Sequence, residues 1–176
     1  MSDFSLYYLL SLSNIHCFIL LFNLYPAITI KKTPQDEPCG VFELRFQEYD
    51  YSQDQDLIDF KPEYLIVALG ENVPELKMKE EQCAYRDAFL KLLKGFLSSN
   101  PAPAAVVRGV FRKNEWKDQM MKEAAEECGI PFVKADFADD DSMKALGLFE
   151  YEGVQAHPGD KGMEAIARVV LDTLFK

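Results

Sequence analysis

Short β-branched, apolar runs alternate with amphipathic segments over most of this chain. The run YLIVAL at residues 64–69 is apolar along its whole length, as expected for a strand covered on both faces. Similar runs at residues 27–30, 104–107 and 131–134 predict three more strands. Strands and helices that alternate in this way build a sheet of parallel strands. The pattern therefore predicts an α/β fold, a three-layer α/β/α sandwich with a mainly parallel sheet.

Helical spacing of apolar residues appears in three segments between and after these runs. One segment covers residues 80–97, and another begins at Glu115 and stops before Gly129, a residue type that commonly follows a helix. The last helix is expected to begin after Asp160, whose side chain is a good N-cap. A length of 176 residues fits a single domain over residues 1–176.

Residues 1–25 form an atypical apolar beginning to this domain. Residues 5–25 carry no charge and are long enough to suggest a membrane span or the apolar part of a signal peptide. The preceding residues include Asp3 but no Lys or Arg, so the positive flank of a signal peptide is missing. We therefore expect no stable membrane span, and a buried helix that leads into a strand. The compartment stays open.

Composition and charge narrow the classes of partner. The chain has 29 acidic against 19 basic residues and a net charge of -10, which disfavours nucleic acid and anionic membranes as partners. Its four cysteines have no C-x-x-C spacing, which argues against a zinc knuckle or a thioredoxin motif. The acidic run at residues 139–141 has the character of a solvated turn. We expect no metal and no organic cofactor, and a neutral or cationic small molecule or a protein as the partner.

Two stretches carry the candidate chemistry, because ligands of open α/β sheets bind beyond the carboxyl ends of the strands. Gly70, Glu71 and Asn72 directly follow the strand at residues 64–69. A glycine there permits a tight turn, and an asparagine amide can donate a hydrogen bond to an oxyanion. His157 comes just before the last helix, where an imidazole is well placed as a general base.

Together these stretches resemble the SGNH, or GDSL-type, hydrolases, a family of esterases and lipase-like enzymes with a flavodoxin-like fold. The family's block III, Gly-x-Asn-Asp after a central strand, is matched by Gly-Glu-Asn at residues 70–72. Its last block places the catalytic histidine before the final helix as HPxxxGM, and this chain has HPGDKGM at residues 157–163. Gly40 falls where the block II glycine would lie. The resemblance covers residues 25–176.

The resemblance implies acyl-ester hydrolysis, of the esterase or deacetylase type, on acylated small molecules or glycans. A serine would attack the ester and His157 would act as its base. Asn72 and the backbone N–H of Gly40 would stabilise the oxyanion, and Gly70 would shape the turn between the strand and Asn72. The residues that would bind the substrate are Glu71, Arg108 and Trp116.

The chain departs from the family pattern at the nucleophile and at the acid of the triad. No Gly-Asp-Ser block is present, and none of Ser2, Ser5, Ser11 and Ser13 follows a Gly-Asp pair. Val154 stands where the family has an aspartate, three residues before the histidine, and Val73 replaces the aspartate of block III. We therefore expect this chain to lack its nucleophile and to turn over small esters negligibly.

Three interpretations remain open. The chain is a hydrolase shortened at its N-terminus, a non-catalytic member that binds a carbohydrate or an acyl ligand, or an unrelated flavodoxin-like binding domain. The last is disfavoured by the lack of a G-x-G-x-x-G or P-loop motif in the sequence.

In an active form of such a hydrolase, Asn72→Ala is expected to lower turnover about 100-fold to 1000-fold, the usual effect of losing one oxyanion donor. The rate of 4-nitrophenyl acetate hydrolysis by the purified, folded variant checks this expectation. An unchanged rate would remove Asn72 from the mechanism.

Overall fold

The computed structural model describes residues 18–22, 38–50 and 55–176. Over these residues the protein is a mixed α/β structure with one sheet of four strands. The strands are β1 (Phe18–Phe22), β2 (Tyr64–Ala68), β3 (Ala104–Arg108) and β4 (Phe132–Val133). The helices are α1 (Pro38–Arg45), α2 (Gln55–Asp59), α3 (Lys79–Phe96), α4 (Glu115–Glu127), α5 (Glu152–Gln155) and α6 (Asp160–Leu174), with a 3₁₀ turn at Asp141–Met143.

The periodic part of the sequence folds as its pattern predicts. Strands β2, β3 and β4 and helices α3, α4 and α6 lie at the expected positions, and Gly129 follows α4 with a φ of +70°. One boundary differs, because Gly159 is the N-cap of α6 and Asp160 is its first helical residue. The strand expected at residues 27–30 lies outside the described residues. Among the helices of the described ranges, none is long and apolar enough to cross a membrane.

The sheet order is β1-β2-β3-β4, and β2, β3 and β4 are parallel. Their carboxyl ends therefore share one edge of the sheet, called the carboxyl edge below. Strand β1 runs antiparallel to β2, with Phe18 opposite Ala68 and Phe22 opposite Tyr64. The apolar N-terminal segment thus contributes an antiparallel strand, and the chain enters that strand at the carboxyl edge.

Different helices pack against the two faces of the sheet, which explains why β2 is apolar along its whole length. On one face, Leu65 and Val67 belong to a buried cluster with residues of α1, α3 and α4. On the other face, Ile66 packs with Ala167 and Val170 of α6. Successive residues of a strand point to opposite faces, so a strand with helix residues packed on both sides needs apolar residues at every position.

An aromatic cluster fixes α1 against α3. Phe42 of α1 and Phe46, which directly follows the helix, are buried, and Phe46 meets Tyr85 of α3 edge-on with ring centroids 5.3 Å apart. The centroid of the Phe42 ring lies 6.1 Å from that of Tyr85 and 6.0 Å from that of Phe89. Burial of each such side chain stabilises the fold by about 1.5–3 kcal/mol. The cluster therefore holds α1, a helix of only eight residues, in a defined position.

The backbone before α6 is held by direct contact with the segment at residues 143–145. The N–H of Gly159 donates to the carbonyl oxygen of Met143 at 2.8 Å, and the N–H of Ala145 donates to the carbonyl oxygen of His157 at 2.9 Å. Gly162 is buried here, and a Cβ at that position would overlap the same Met143 carbonyl oxygen. Only glycine permits this close approach.

Gly162→Ala is expected to lower the free energy of unfolding by about 1–3 kcal/mol, the usual cost of overpacking a filled site. In a solvent-exposed helix the same change is stabilising by about 1 kcal/mol, so the sign of the effect is diagnostic. Urea denaturation monitored by circular dichroism measures it. The exposed neighbour supplies a control, Lys161→Ala, for which we expect a change within about 0.5 kcal/mol. Equal or greater stability of Gly162→Ala would contradict the close contact.

Candidate functional site

The loop at residues 70–73 follows β2 directly and contains two of the candidate residues. Gly70 has a φ of +114°, a conformation that side chains other than glycine rarely adopt. The N–H of Val73 donates to the carbonyl oxygen of Gly70 at 3.4 Å, which closes a tight turn. This turn places the side chains of Glu71 and Asn72 beyond the carboxyl edge.

A buried carboxylate from α1 receives hydrogen bonds from this 70–73 loop. Glu43 is 0% exposed, and its Oε1 accepts from the backbone N–H of Gly70 at 2.5 Å and of Asn72 at 3.3 Å. Its Oε2 accepts from the side-chain Nδ2 of Asn72 at 2.8 Å. Glu43 therefore fixes both the backbone of the loop and the amide that we interpret as an oxyanion donor.

A buried ammonium group from α4 binds the carbonyl groups of the same loop. Lys117 is 7% exposed, and its Nζ donates to the carbonyl oxygens of Gly70 at 2.9 Å and of Val73 at 2.5 Å. Burial lowers the pKa of Lys117, and the negative charges of Glu71, Glu43 and Glu75 oppose that shift. Thus the backbone N–H groups of Gly70 and Asn72 bind a carboxylate, and the carbonyl groups of Gly70 and Val73 bind an ammonium group.

Glu71 connects the 70–73 loop to the end of β3. Its Oε1 accepts from Nη1 of Arg108 at 2.9 Å and from the backbone N–H of Phe111 at 2.7 Å. Arg108 is only 3% exposed. Both residues were expected to bind substrate, and in this structure they bind each other and hold two loops together. Glu71 remains partly exposed at the carboxyl edge.

Asp118 holds the residues that follow β3. One of its carboxylate oxygens accepts from the backbone N–H of Val110 at 3.1 Å. Burial raises the pKa of Asp118, and the hydrogen bond from Val110 opposes that shift. A Cβ at Gly109 would lie 2.7 Å from the same carboxylate, so the chain passes close to the side chain.

His157 lies in the segment before α6 and is partly buried. Desolvation lowers the pKa of its imidazole first, the positive charge of Arg112 lowers it further, and the negative charge of Glu71 raises it. The effects of Glu71 and Arg112 indicate that His157 lies within electrostatic reach of the 70–73 loop and of the loop after β3. A lowered pKa keeps the imidazole neutral at pH 7, the form that can accept a proton.

The other two candidates lie on helices. Gly40 is the third residue of α1, three positions before Glu43. Trp116 is partly buried in the first turn of α4, where its Nε1 donates to Glu75 at 2.8 Å. Its ring meets Tyr85 edge-on with centroids 5.8 Å apart, so much of its surface is in packing contacts.

The described serines lie in two places, before β3 and in the 3₁₀ turn. Ser98 donates to the carbonyl oxygen of Gly95 and Ser99 to that of Pro101, and both residues precede β3 at the opposite edge. Ser142 lies in the 3₁₀ turn, where its N–H donates to Asp140. Within the same described ranges, no group of three or more His, Cys, Asp or Glu side chains could hold a metal ion.

Sequence reasoning missed Glu43 and Lys117, although both leave a trace in the sequence. Glu43 follows Phe42 and precedes Phe46, so a charge lies on an apolar helix face. Lys117 shares helical spacing with Met120, Met121 and Ala124, again on the apolar face. A charged residue on the buried side of a helix indicates an internal polar partner.

No protein-family description matches the chain, and neither a curated protein nor a solved structure matches it.

Because burial and Arg112 both lower its pKa, His157 is expected to titrate below 6.5. Arg112→Gln should raise that pKa, because it removes a nearby positive charge. The pKa is measured in the wild type and in each variant from the proton NMR signal of the imidazole Cε1–H. Lys113→Gln, which removes a neighbouring cation, is the matched control. A pKa unchanged by Arg112→Gln would contradict the charge contact.

The same shift gives a pH dependence of stability. The unfolded chain binds the histidine proton at a higher pH than the folded chain does. The contribution of His157 is therefore complete above about pH 6.5, and it is lost as the pH falls from the unfolded pKa toward the folded one.

Proposed function

We propose that the chain is an SGNH-like ester hydrolase domain, a three-layer α/β/α sandwich that binds acylated small molecules or glycans at its carboxyl edge. One observation supports the proposal most: Asn72 and His157, 85 positions apart in the sequence, belong to segments that both bound this edge. Glu71 links them, because it lies in the 70–73 loop and its charge acts on His157. Acyl transfer requires an oxyanion donor and a base at one site.

In the proposed reaction the ester carbonyl oxygen lies at the amide of Asn72. A serine hydroxyl attacks the carbonyl carbon while His157 accepts the hydroxyl proton, and the carbonyl electron pair moves onto the oxygen to give an oxyanion. Asn72 stabilises that oxyanion with an N–H. When the tetrahedral intermediate collapses, the bond to the alcohol breaks and His157 returns the proton to the leaving oxygen. Water then releases the acyl group by the same steps.

Two N-terminal serines are the candidates for the nucleophile of this mechanism. The chain enters β1 at the carboxyl edge, since Phe18 lies opposite Ala68. Ser11 and Ser13 precede that entry by seven and five positions, so they are the serines of this chain to substitute first. They lie outside the described residues, and neither has the Gly-Asp context of the family.

A second candidate is a non-catalytic member of the same fold that binds a carbohydrate or acyl ligand. The sequence favours it at two positions, because Gly-Asp-Ser is missing and Val154 replaces the acid that would orient the histidine. A site with an oxyanion donor but no nucleophile would retain binding and lose rapid turnover.

Chemical rescue separates the two candidates. In water we expect negligible hydrolysis of 4-nitrophenyl acetate, because no serine follows a Gly-Asp turn. Hydroxylamine supplied in solution replaces the missing nucleophile, and a hydrolase site should accelerate its attack through His157. We expect His157→Ala to reduce that acceleration at least about 100-fold, the usual range for a general base. His16→Ala is the control for the other histidine of the chain.

Each possible outcome supports or contradicts a different candidate. An acceleration by hydroxylamine that is insensitive to His157→Ala would exclude His157 as the base. Binding of acetylated xylobiose, seen in amide NMR spectra, without any acceleration would favour the binding module. Hydrolysis in water that His157→Ala abolishes would show that the chain has its own nucleophile. Neither binding nor acceleration would contradict both candidates.

A further inference from the structure

Glu43 is a buried acid to which no function has yet been given. We propose that Glu43 is a positioning residue that orients the amide of Asn72 for an acyl oxyanion. This inference rests on the proposed function, because it concerns how the oxyanion donor is held. The carboxylate is 0% exposed, and within the part of the chain that the structure describes it accepts three hydrogen bonds, from Gly70 and Asn72.

The chemistry of the two side chains determines which way the amide faces. An ionised carboxylate accepts hydrogen bonds and cannot donate them, so only the NH₂ group of Asn72 can face Glu43. A flipped amide would place two acceptor oxygens against each other. The NH₂ group has two N–H donors, and one of them is directed to Oε2 of Glu43 at 2.8 Å. Within the described residues the second N–H has no protein acceptor, and it is available to a substrate.

Each oxygen of Glu43 has a separate task, so the carboxylate cannot be replaced by an amide. Oε1 binds the backbone N–H groups of Gly70 and Asn72, and Oε2 binds the side chain of Asn72. A glutamine has one acceptor oxygen and one NH₂ group. With its oxygen on the backbone N–H groups, its NH₂ group would face Asn72, whose amide could accept from it only by flipping. In the other orientation its NH₂ group would face the backbone N–H donors. Glu43→Gln therefore breaks the arrangement while conserving size and shape.

The position of Glu43 is itself fixed by packing. Its neighbour in the sequence, Phe42, is 1% exposed, and Phe46 one turn later contacts Tyr85 of α3. Lys117 balances the buried charge from the other side of the loop, where it binds the carbonyl oxygens of Gly70 and Val73. A donor held in place before the reaction needs no reorganisation when the oxyanion forms, and this is the main source of oxyanion stabilisation.

The first test needs no ligand. In proton–nitrogen NMR spectra of the full chain, the two side-chain N–H signals of Asn72 should be well separated, because one N–H binds a carboxylate. Glu43→Gln should bring these signals together and toward the positions of a solvated amide. The matched control is Glu48→Gln, an exposed glutamate just beyond α1, which should leave them unchanged. Unchanged Asn72 signals in a folded Glu43→Gln variant would overturn the inference.

The second test measures whether Glu43 acts through Asn72. The probe is phenyl methylphosphonate, a tetrahedral anion that imitates the intermediate, and the titration is followed by NMR on folded protein. We expect Glu43→Gln and Asn72→Ala each to weaken binding about 10-fold or more, the effect of losing one charge-assisted or oriented hydrogen bond. In the double variant, Glu43→Gln should add little to the loss caused by Asn72→Ala.

A merely structural Glu43 gives a different result. It would lower the melting temperature and leave the affinity of the folded fraction unchanged, or it would weaken binding independently of Asn72, and either result would overturn the inference. If the wild-type chain does not bind the phosphonate, the proposed function is contradicted, while the Asn72 signals still decide whether Glu43 orients the amide.

Discussion

The candidate site depends on two buried opposite charges that bind one short loop. Glu43 accepts from the N–H groups of the 70–73 loop, and Lys117 donates to its carbonyl groups. Burying an ion costs several kcal/mol unless its hydrogen-bonding capacity is used, and removing one partner of a buried pair typically costs about 3–5 kcal/mol. Here the backbone of the loop lies between the two ions and satisfies both. The loop, α1 and α4 are therefore expected to form or break together.

Electrostatics at the carboxyl edge differ from those of the chain as a whole. A net charge of -10 favours protonated histidine in general. At His157 the local environment acts in the opposite direction, because desolvation and Arg112 both lower the pKa. Glu71 is the nearby acid that opposes them, but its carboxylate is already bonded to Arg108 and to a backbone N–H. The pKa of His157 is thus lowered even though the chain as a whole is acidic.

The sequence predicts those parts of the fold that local patterns specify. Strand β2 and helices α3 and α4 follow from apolar runs and helical spacing that are visible within about 20 residues. Strand β1 is different, because an uncharged apolar run fits a helix as well as a strand. Its antiparallel pairing depends on β2, which begins more than 40 residues later in the chain. Local sequence cannot specify such a partner.

The same distinction holds for the site. Asn72 and His157 stand in motifs with a recognisable order, so a resemblance identifies them. Glu43 lies 27 positions before the Gly70 N–H that it binds, and tertiary packing alone brings the two together. The apolar neighbours of Glu43 indicate burial but do not indicate its partner. Motif order identifies the candidate groups, and the buried residues bonded to them are found only from the structure.

The contact between the residues before α6 and the segment at 143–145 affects how the protein tolerates mutation. Backbone hydrogen bonds and the close approach at Gly162 hold the main chain on either side of His157. The side chain of Lys161, next to Gly162, is exposed, so its identity is expected to vary with little effect on stability. Substitution is constrained at Gly159 and Gly162, because their missing side chains allow the two backbone segments to touch. The contact between these two backbone segments thus depends on two positions that carry no side chain.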